Sequence, residues 1–559
     1  MPKIGGVFLN KIQQNERIGE DMKALIMLGG EFHPFDSCGK ILEDFLKKTK
    51  ICEPVLTDDR NRFKDLKDYD LVIVYTQGGE LTSAQEESLC GFVRKGGGLI
   101  GIHCASDSWV KNKAYLEMLG SHFIGHGPVT EFLVRISHSE HDITRRISNF
   151  KVIDEFYILE EKTSDFEVLA EGIWQFKTHP LAYIRNYGKG KVFYTALGHD
   201  ERAFKNPFFQ KFIFRAGRWT TNQKERRKVR CGVVGYGGAC DMGKYHADSI
   251  SKTPGLSLTA ICEIDKKRLE IASKNHPEVK TYAEIKKMLS AEIIDLGVVV
   301  TPHNTHSKIA LSLIDAGKNV ICEKPFAITV KECTTMIEAA KEKGIMLSVF
   351  HNRRWDGDFL SIKRVIDDGL IGEIFHIEAY IGNYAHPGYW WRSEKPISGG
   401  IIYDWGAHFV DWILNLMPGK METVYGIFHK RLWYDVTSED QGGAIIRFEA
   451  GRYAEFQIST IAAIGKPKWR ILGTKGALTI NQNEDEVNVV TFVNGYREEL
   501  KTSFMESCYD NYYINIADHL LTGEALSVTA ESARRVIAVL ELAEKSARTG
   551  KIQPVPYEN

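Results

Sequence analysis

Two short stretches of this 559-residue chain hold residue types and spacings that could do chemistry. The first is Val320-Ile321-Cys322-Glu323-Lys324-Pro325-Phe326, which reads as a short buried strand ending in charge. Pro325 biases Lys324 toward extended geometry. That places the lysine at the C-terminal edge of a sheet, where open α/β sheets bind ligands. A lysine there can hydrogen-bond a substrate hydroxyl and stabilise charge developing on its oxygen. The second stretch runs from Ser398-Gly399-Gly400 through Asp404, His408 and Asp411. Asp404 and His408 stand four apart, so on a helix they share one face. Histidine titrates near neutrality and suits removal of a hydroxyl proton, while Asp404 can orient the substrate or help carry the proton.

The rest of the chain must position these groups. At this length two to four domains are expected. The net charge is -1 with no block of like charge, which points to neither nucleic acid nor membrane as a partner. No apolar run reaches a membrane span. Residues 1–22 have no long apolar core and read as a loose lead-in rather than a signal peptide. The ten cysteines are scattered without a C-x-x-C pair, and Cys231, Cys262 and Cys322 fall inside expected strands. That usage fits reduced thiols in a cytoplasm.

From residue 23 to about 220, apolar strands alternate with helical segments: Lys23–Gly29, Asp70–Thr76, Gly96–His103 and Lys191–Ala196, with helices over Cys38–Lys48 and Ser83–Lys95. Ser83 with Glu86 three residues on reads as a capping box. Buried strands in β-α alternation predict a doubly wound parallel sheet. The run Gly96 to His103, then His141-Asp142-Ile143, Asp154-Glu155-Phe156-Tyr157, Tyr187 to Tyr194 and Leu197-Gly198-His199 resembles ThuA-like (trehalose-utilisation) domains. The resemblance implies a flavodoxin-like fold related to class I glutamine amidotransferases. His199-Asp200-Glu201 has the His-x-Glu form of an amidotransferase triad, but Cys104 lacks the glycine elbow that exposes a nucleophile. His103, Glu155 and His199 form a candidate polar cluster at strand ends. Such groups suit zinc or a similar ion, yet their spacing does not show that they converge, and no metal is assigned.

Residues 221–227 are polar and aperiodic and read as a linker. Lys228 to Val234 restarts a strand that enters the glycine turn Gly235-Tyr236-Gly237-Gly238. Strand, glycine turn and helix N-terminus suit a pyrophosphate. The motif is irregular, with Cys240 in the third position and Gly243 late, as after a short insertion. The next strand, Leu256–Cys262, ends in Glu263. An acid there accepts hydrogen bonds from the adenosine ribose and repels a 2′-phosphate, favouring NAD over NADP. Lys266, Lys267 and Arg268 nearby weaken that preference.

The order of glycine turn, Glu263, Thr301-Pro302 with His306, Ala316-Gly317-Lys318, Glu323-Lys324-Pro325 and the Gly-Gly…Asp404-x-Gly-x-His408 stretch resembles the Gfo/Idh/MocA oxidoreductases. The resemblance runs from about Lys228 to the C-terminus. It implies a Rossmann dinucleotide-binding domain over 228–350. An α+β domain with a largely antiparallel open sheet follows over 351–559, able to bind substrate and a second copy of the chain. It also implies catalysis by Lys324, Asp404 and His408. Cofactor contacts are expected from Gly235, Tyr236, Gly237, Gly238, Glu263, Thr301, Pro302, His306, Glu323, Lys324, Arg354, Trp391 and Arg392. His351, Tyr389 and Asp411 stand as candidate substrate contacts, and the aromatic density of Tyr384 to Trp391, with Trp405 and Trp412, suits a carbohydrate. The expected activity is NAD-dependent oxidation of a sugar, glycoside or polyol hydroxyl. Retained and recycled NAD would instead give a glycosidase or epimerase, and a non-catalytic sensor would need none of the three reactive side chains.

Overall fold

The computed structural model describes residues 22–49, 51–145, 147, 149–222, 228–237, 241–291, 293–522 and 524–556. The expected lead-in, save Met22, therefore lies outside the described residues, as do Gly238, Cys240 and most of the linker. The chain divides into two compact units, residues up to Arg226 with Thr522–Glu524, and Arg227–Leu521 with Ala525–Asn559.

The first unit is built on a nine-stranded sheet in the order β2-β1-β3-β4-β9-β8-β7-β5-β6. Its strands are β1 (Lys23–Gly29), β2 (Glu53–Thr57), β3 (Leu71–Thr76), β4 (Gly98–Ile102), β5 (Ser121–Ile136), β6 (Phe150–Glu161), β7 (Glu167–Trp174), β8 (Lys177–Tyr187) and β9 (Gly190–Thr195). Pairing is parallel from β2 across to β9 and antiparallel from β9 onward. The flavodoxin-like half is thus extended by antiparallel strands. β3 and β4 are buried along their whole length, as strands covered on both faces must be. The helix Ser83–Arg94 starts one residue earlier than its Ser83-Glu86 signature suggests. Thr82 is the cap, and Thr82 and Gln85 form the reciprocal box, because an overlapping Thr-x-x-Gln pattern wins.

The second unit holds two sheets over one continuous apolar core that runs from Val229 to Val555. The first sheet is parallel, with order β12-β11-β10-β13-β14-β15. It comprises β10 (Val229–Val234), β11 (Leu256–Cys262), β12 (Lys280–Tyr282), β13 (Leu296–Val299), β14 (Asn319–Cys322) and β15 (Leu347–Val349). The order reverses at β10, which is the switch point where such sheets open a crevice. The second sheet has order β23-β22-β21-β20-β16-β19-β18-β17-β24 and is antiparallel except where β16 meets β19. Its strands are β16 (Ile374–Gly382), β17 (Met421–His429), β18 (Gln441–Phe448), β19 (Tyr453–Ser459), β20 (Trp469–Gly473), β21 (Gly476–Ile480), β22 (Glu486–Val493), β23 (Tyr496–Ser503) and β24 (Gln553–Pro554). The helix Ile401–Leu416 lies against this sheet, apolar on nearly every face, with twelve of its sixteen residues buried. Among the described residues no helix is long and apolar enough to cross a membrane.

Candidate active site

A cleft of about 560 Å³ opens at the C-terminal edge of the parallel sheet. The glycine turn forms one wall. Gly235 has φ +99°, and a Cβ there would lie 2.0 Å from the Val300 carbonyl oxygen. Gly243 meets the turn from the helix Met242–Lys252: its Cβ would lie 2.5 Å from the Gly235 carbonyl oxygen. It therefore takes the close-packing role of the third glycine in the fingerprint. The late Gly243 is the motif's missing member, displaced along the chain rather than absent.

Gly235, Gly237, Glu263, Thr301, Pro302, His306, Glu323, Lys324, Trp391 and Arg392, all expected at the cofactor, line this cleft. Their roles differ in detail. Glu263 accepts backbone N–H bonds from Tyr236 (2.7 Å) and Asp265 (2.9 Å), so it also pins the glycine turn. Arg268 lies over Gly237, where an added Cβ would come 2.1 Å from its Cδ. His306 places a ring nitrogen 2.9 Å from each of the Thr301 and Pro325 carbonyls and laces two loops together. Glu323 is buried. Burial raises its pKa, but the hydrogen bond from His246 and that imidazole's charge outweigh this and hold it below the usual value.

Two expected cofactor residues stand elsewhere. The Tyr236 side chain is buried and bonds Asn275 and His276. Arg354 is locked in a bidentate pair with Asp411, at 2.8 and 2.6 Å, and neither lines the cleft. Both partners are nearly buried, which favours a bracing role over ligand contact. Tyr389, expected at the substrate, is exposed and donates to Asp435 (2.6 Å), outside the cleft lining. Of the aromatics expected to suit a carbohydrate, Trp412 is core.

Lys324, which lines the cleft, meets Asp404; Asp404 and His408 stand behind it and are not among the lining residues. The strand β14 ends at Cys322, and a cis Lys324–Pro325 peptide follows two residues on. Lys324 Nζ donates to Asp404 Oδ1 at 2.6 Å, and Arg392 Nη1 lies 3.8 Å from Asp404 Oδ2. Burial pushes Asp404 up, but the two cations outweigh it and hold the carboxyl well below the usual carboxylate range. His408 follows one helical turn later. Its Nδ1 is buried without a hydrogen-bond partner, and burial, aided by the charges of Lys324 and Arg353, pushes its pKa well below 6.5. Its ring is thus held in the neutral form. His351 Nδ1 is likewise buried and unpartnered, with its pKa lowered by burial.

One lining residue escaped sequence reasoning. His303 bonds the Ser398 carbonyl through Nδ1 at 2.7 Å, stacks edge-on against Trp391, and leaves Nε2 buried without a partner. Its place between Pro302 and His306 was the available signal.

In the first unit, His103, Glu155 and His199 do converge, and His33 and His126 join them. His103 Nε2 and His199 Nδ1 lie 3.6 and 3.3 Å from Glu155 Oε2, and His126 Nδ1 lies 2.8 Å from Glu155 Oε1. Cys104 is fully buried, and burial drives its thiol far above its usual pKa, away from the exposed thiolate that nucleophilic chemistry needs. Glu201 instead accepts a hydrogen bond from Ser37.

Family models match the chain in three consecutive pieces: trehalose utilisation over residues 23–220, the oxidoreductase family NAD-binding Rossmann fold over 229–351, and the GFO/IDH/MocA C-terminal domain over 359–479. The chain is 31% identical over 358 residues to scyllo-inositol 2-dehydrogenase (NADP(+)) of Bacillus subtilis, covering 58% of this chain and 96% of that protein. It is 25% identical over 333 residues to scyllo-inositol 2-dehydrogenase (NAD(+)) of the same organism, covering 58% and 95%. The crystal structure of an NAD-binding protein from Listeria innocua superposes with a TM-score of 0.53 at 28% identity, covering 59% and 97%. The chain belongs to the GFO/IDH/MocA family of NAD(P)-dependent oxidoreductases and carries a ThuA domain ahead of that module.

Proposed function

We propose that the second unit oxidises a secondary hydroxyl of a sugar or cyclic polyol to a ketone, with Lys324, Asp404 and His408 as the catalytic groups. The observation that carries this reading is the Lys324–Asp404 pair at the cleft edge, with the unpartnered, buried His408 one turn beyond. Bound in the cleft, NAD(P) supplies the hydride acceptor. Gly235, Gly237 and the N-terminus of the helix Met242–Lys252 suit its pyrophosphate, and Glu263 its adenosine ribose. On the substrate side, His408 takes the hydroxyl proton as the carbonyl forms. The Lys324 ammonium donates to the same oxygen and stabilises its developing charge. Asp404 keeps Lys324 aimed. The names of the relatives make inositols the first substrates to try.

Glu263 at the cleft favours NAD, while Arg268 beside it offers a charge to a 2′-phosphate. Steady-state rates with each cofactor separate the two. Arg268→Ala is expected to weaken NADP and leave NAD unchanged, and equal weakening of both would contradict that placement. No disulfide joins any of the nine described cysteines, which supports a reducing compartment. Ile427, Ile445 and Tyr453 share one exposed face of the second sheet, and we assign that face to a second copy of the chain. Light scattering of the purified protein tests this, and a monomer would contradict it.

The activity itself is tested by supplying sugars, glycosides and inositols with NAD and NADP and following reduced nicotinamide and keto product. Turnover that accumulates both supports the proposal; the absence of either product across the panel would sink it.

A further inference from the structure

The histidine cluster of the first unit is not among the groups assigned to that reaction. One ligand atom from each of His33, His103, Glu155 and His199 lies within 4.8 Å of the other three. His33 Nδ1 and His103 Nε2 are buried with no hydrogen-bond partner, and His199 Nδ1, also buried, has Glu155 Oε2 beside it at 3.3 Å. One such orphan costs about 1–3 kcal/mol, and two in a cluster with a carboxylate and a third imidazole suit a cation. The tautomer of His103 suits a cation as well. Its Nδ1 lies 2.6 Å from the Ala196 carbonyl, which can only accept. The proton therefore sits on Nδ1, and Nε2 presents its lone pair to the cluster. An outer carbonyl of this kind commonly orients metal-binding histidines.

The spacing also fits. A tetrahedral ion with bonds of about 2.1 Å sets its ligand atoms about 3.4 Å apart. The His199 and His103 nitrogens lie 3.3 and 3.6 Å from Glu155 Oε2. The three imidazole planes are splayed at 69° to 75°, so the rings do not stack on one another. The surroundings hold the set in place. His126 binds the other Glu155 oxygen. Asp154 accepts from the backbone N–H groups of Gly198 (2.8 Å) and His199 (2.9 Å), tying β6 to the loop that carries His199. His103 adopts φ +46°, a left-handed conformation that persists where the surroundings impose it, often at functional sites.

We propose that His33, His103, His199 and Glu155 bind one divalent first-row transition ion, zinc foremost. Three imidazoles and one carboxylate suit zinc and its neighbours, whereas calcium and magnesium take oxygen ligands. The His103 side chain is 0% exposed, but those of Glu155 and His199 are 13% and 22% exposed, so the ion is reached from their side. A second group of potential ligands, His376, Glu378 and Glu455, is set aside because Arg470 already neutralises Glu378.

The test uses the full chain, stripped with a chelator and titrated with Zn(II), then with Co(II) as a spectroscopic probe. One ion per chain and the intense visible bands of tetrahedral cobalt are expected. Glu155→Gln and His199→Asn, both folded by circular dichroism, should weaken Zn(II) by about 100-fold or more. No stoichiometric Zn(II) binding by the wild type, or equal affinity in both variants, overturns the site. Should both variants misfold, the wild-type cobalt spectrum decides: weak octahedral bands or none overturn it as well.

Discussion

Lys324 Nζ lies 2.6 Å from Asp404 Oδ1 and 3.3 Å from the same residue's carbonyl oxygen. The corner after β14 is thereby tied to the first turn of the helix Ile401–Leu416. The carboxylate aims the ammonium, and Arg392 at 3.8 Å shares the charge. Asp404→Asn keeps the shape and removes the charge. It should lower kcat by about 10- to 1000-fold, since a misaimed donor loses most of the stabilisation it offers. Cofactor affinity, read by fluorescence titration, should change little. A loss confined to cofactor affinity would contradict the role given to this pair.

His408 is the proposed base and must be unprotonated to act. Burial and the nearby cations hold its pKa well below 6.5, so it stays neutral through the physiological range. The acid limb of kcat/KM should therefore lie below pH 6.5, with activity retained as pH falls to that point and lost only beneath it. His408→Ala should cost about 100- to 10,000-fold in kcat. An acid limb centred at or above 6.5 would remove His408 from the role.

Arg354 and Asp411 form a buried bidentate pair, and Arg354 also donates to the Ser527 carbonyl. Arg354→Met would leave Asp411 buried without its counter-charge. A loss of about 3–5 kcal/mol in unfolding free energy is expected, read by denaturant titration. Weakened cofactor binding with unchanged stability would show instead that Arg354 serves the cofactor.

Three buried histidines of the second unit, His303, His351 and His408, have pKa values lowered by burial. Each is neutral when folded and takes up a proton near 6.5 when unfolded. The unfolded state thus binds more protons below that value, and stability falls as pH drops from about 6.5 toward the folded pKa values. Each group contributes up to about 1.4 kcal/mol per pH unit there. The melting temperature should be flat above pH 7 and fall steeply toward pH 5. A flat profile across that window would show that these histidines are solvated.

Much of this was legible in the sequence because the signals are local. Continuous apolar runs such as Leu71–Thr76, the glycine turn at Gly235 and the four-residue step from Asp404 to His408 carry their meaning within a few residues. What was missed depends on contacts far apart in the chain. Tyr496–Ser503 is a different case: it is exposed along its whole length at the sheet edge, so no apolar alternation marks it as a strand. Arg354 is matched to Asp411, 57 residues on, and nothing in its neighbours distinguishes a brace from a ligand contact. His33 and His126 join Glu155 only because β1 and β5 deliver them to the same end of one sheet. His303 was passed over because its partner is Ser398, 95 residues later, and its place in the cleft lining comes only with the fold.

The most direct test is the rate of reduced-nicotinamide formation by wild type and Lys324→Met, each supplied with NAD or NADP and a panel of inositols and other cyclic polyols. The account predicts steady accumulation of reduced nicotinamide with equimolar ketone in the wild type, and a fall of about 100- to 1000-fold in the variant. Unchanged turnover in Lys324→Met, or keto-sugar chemistry with no net reduced nicotinamide, would contradict it.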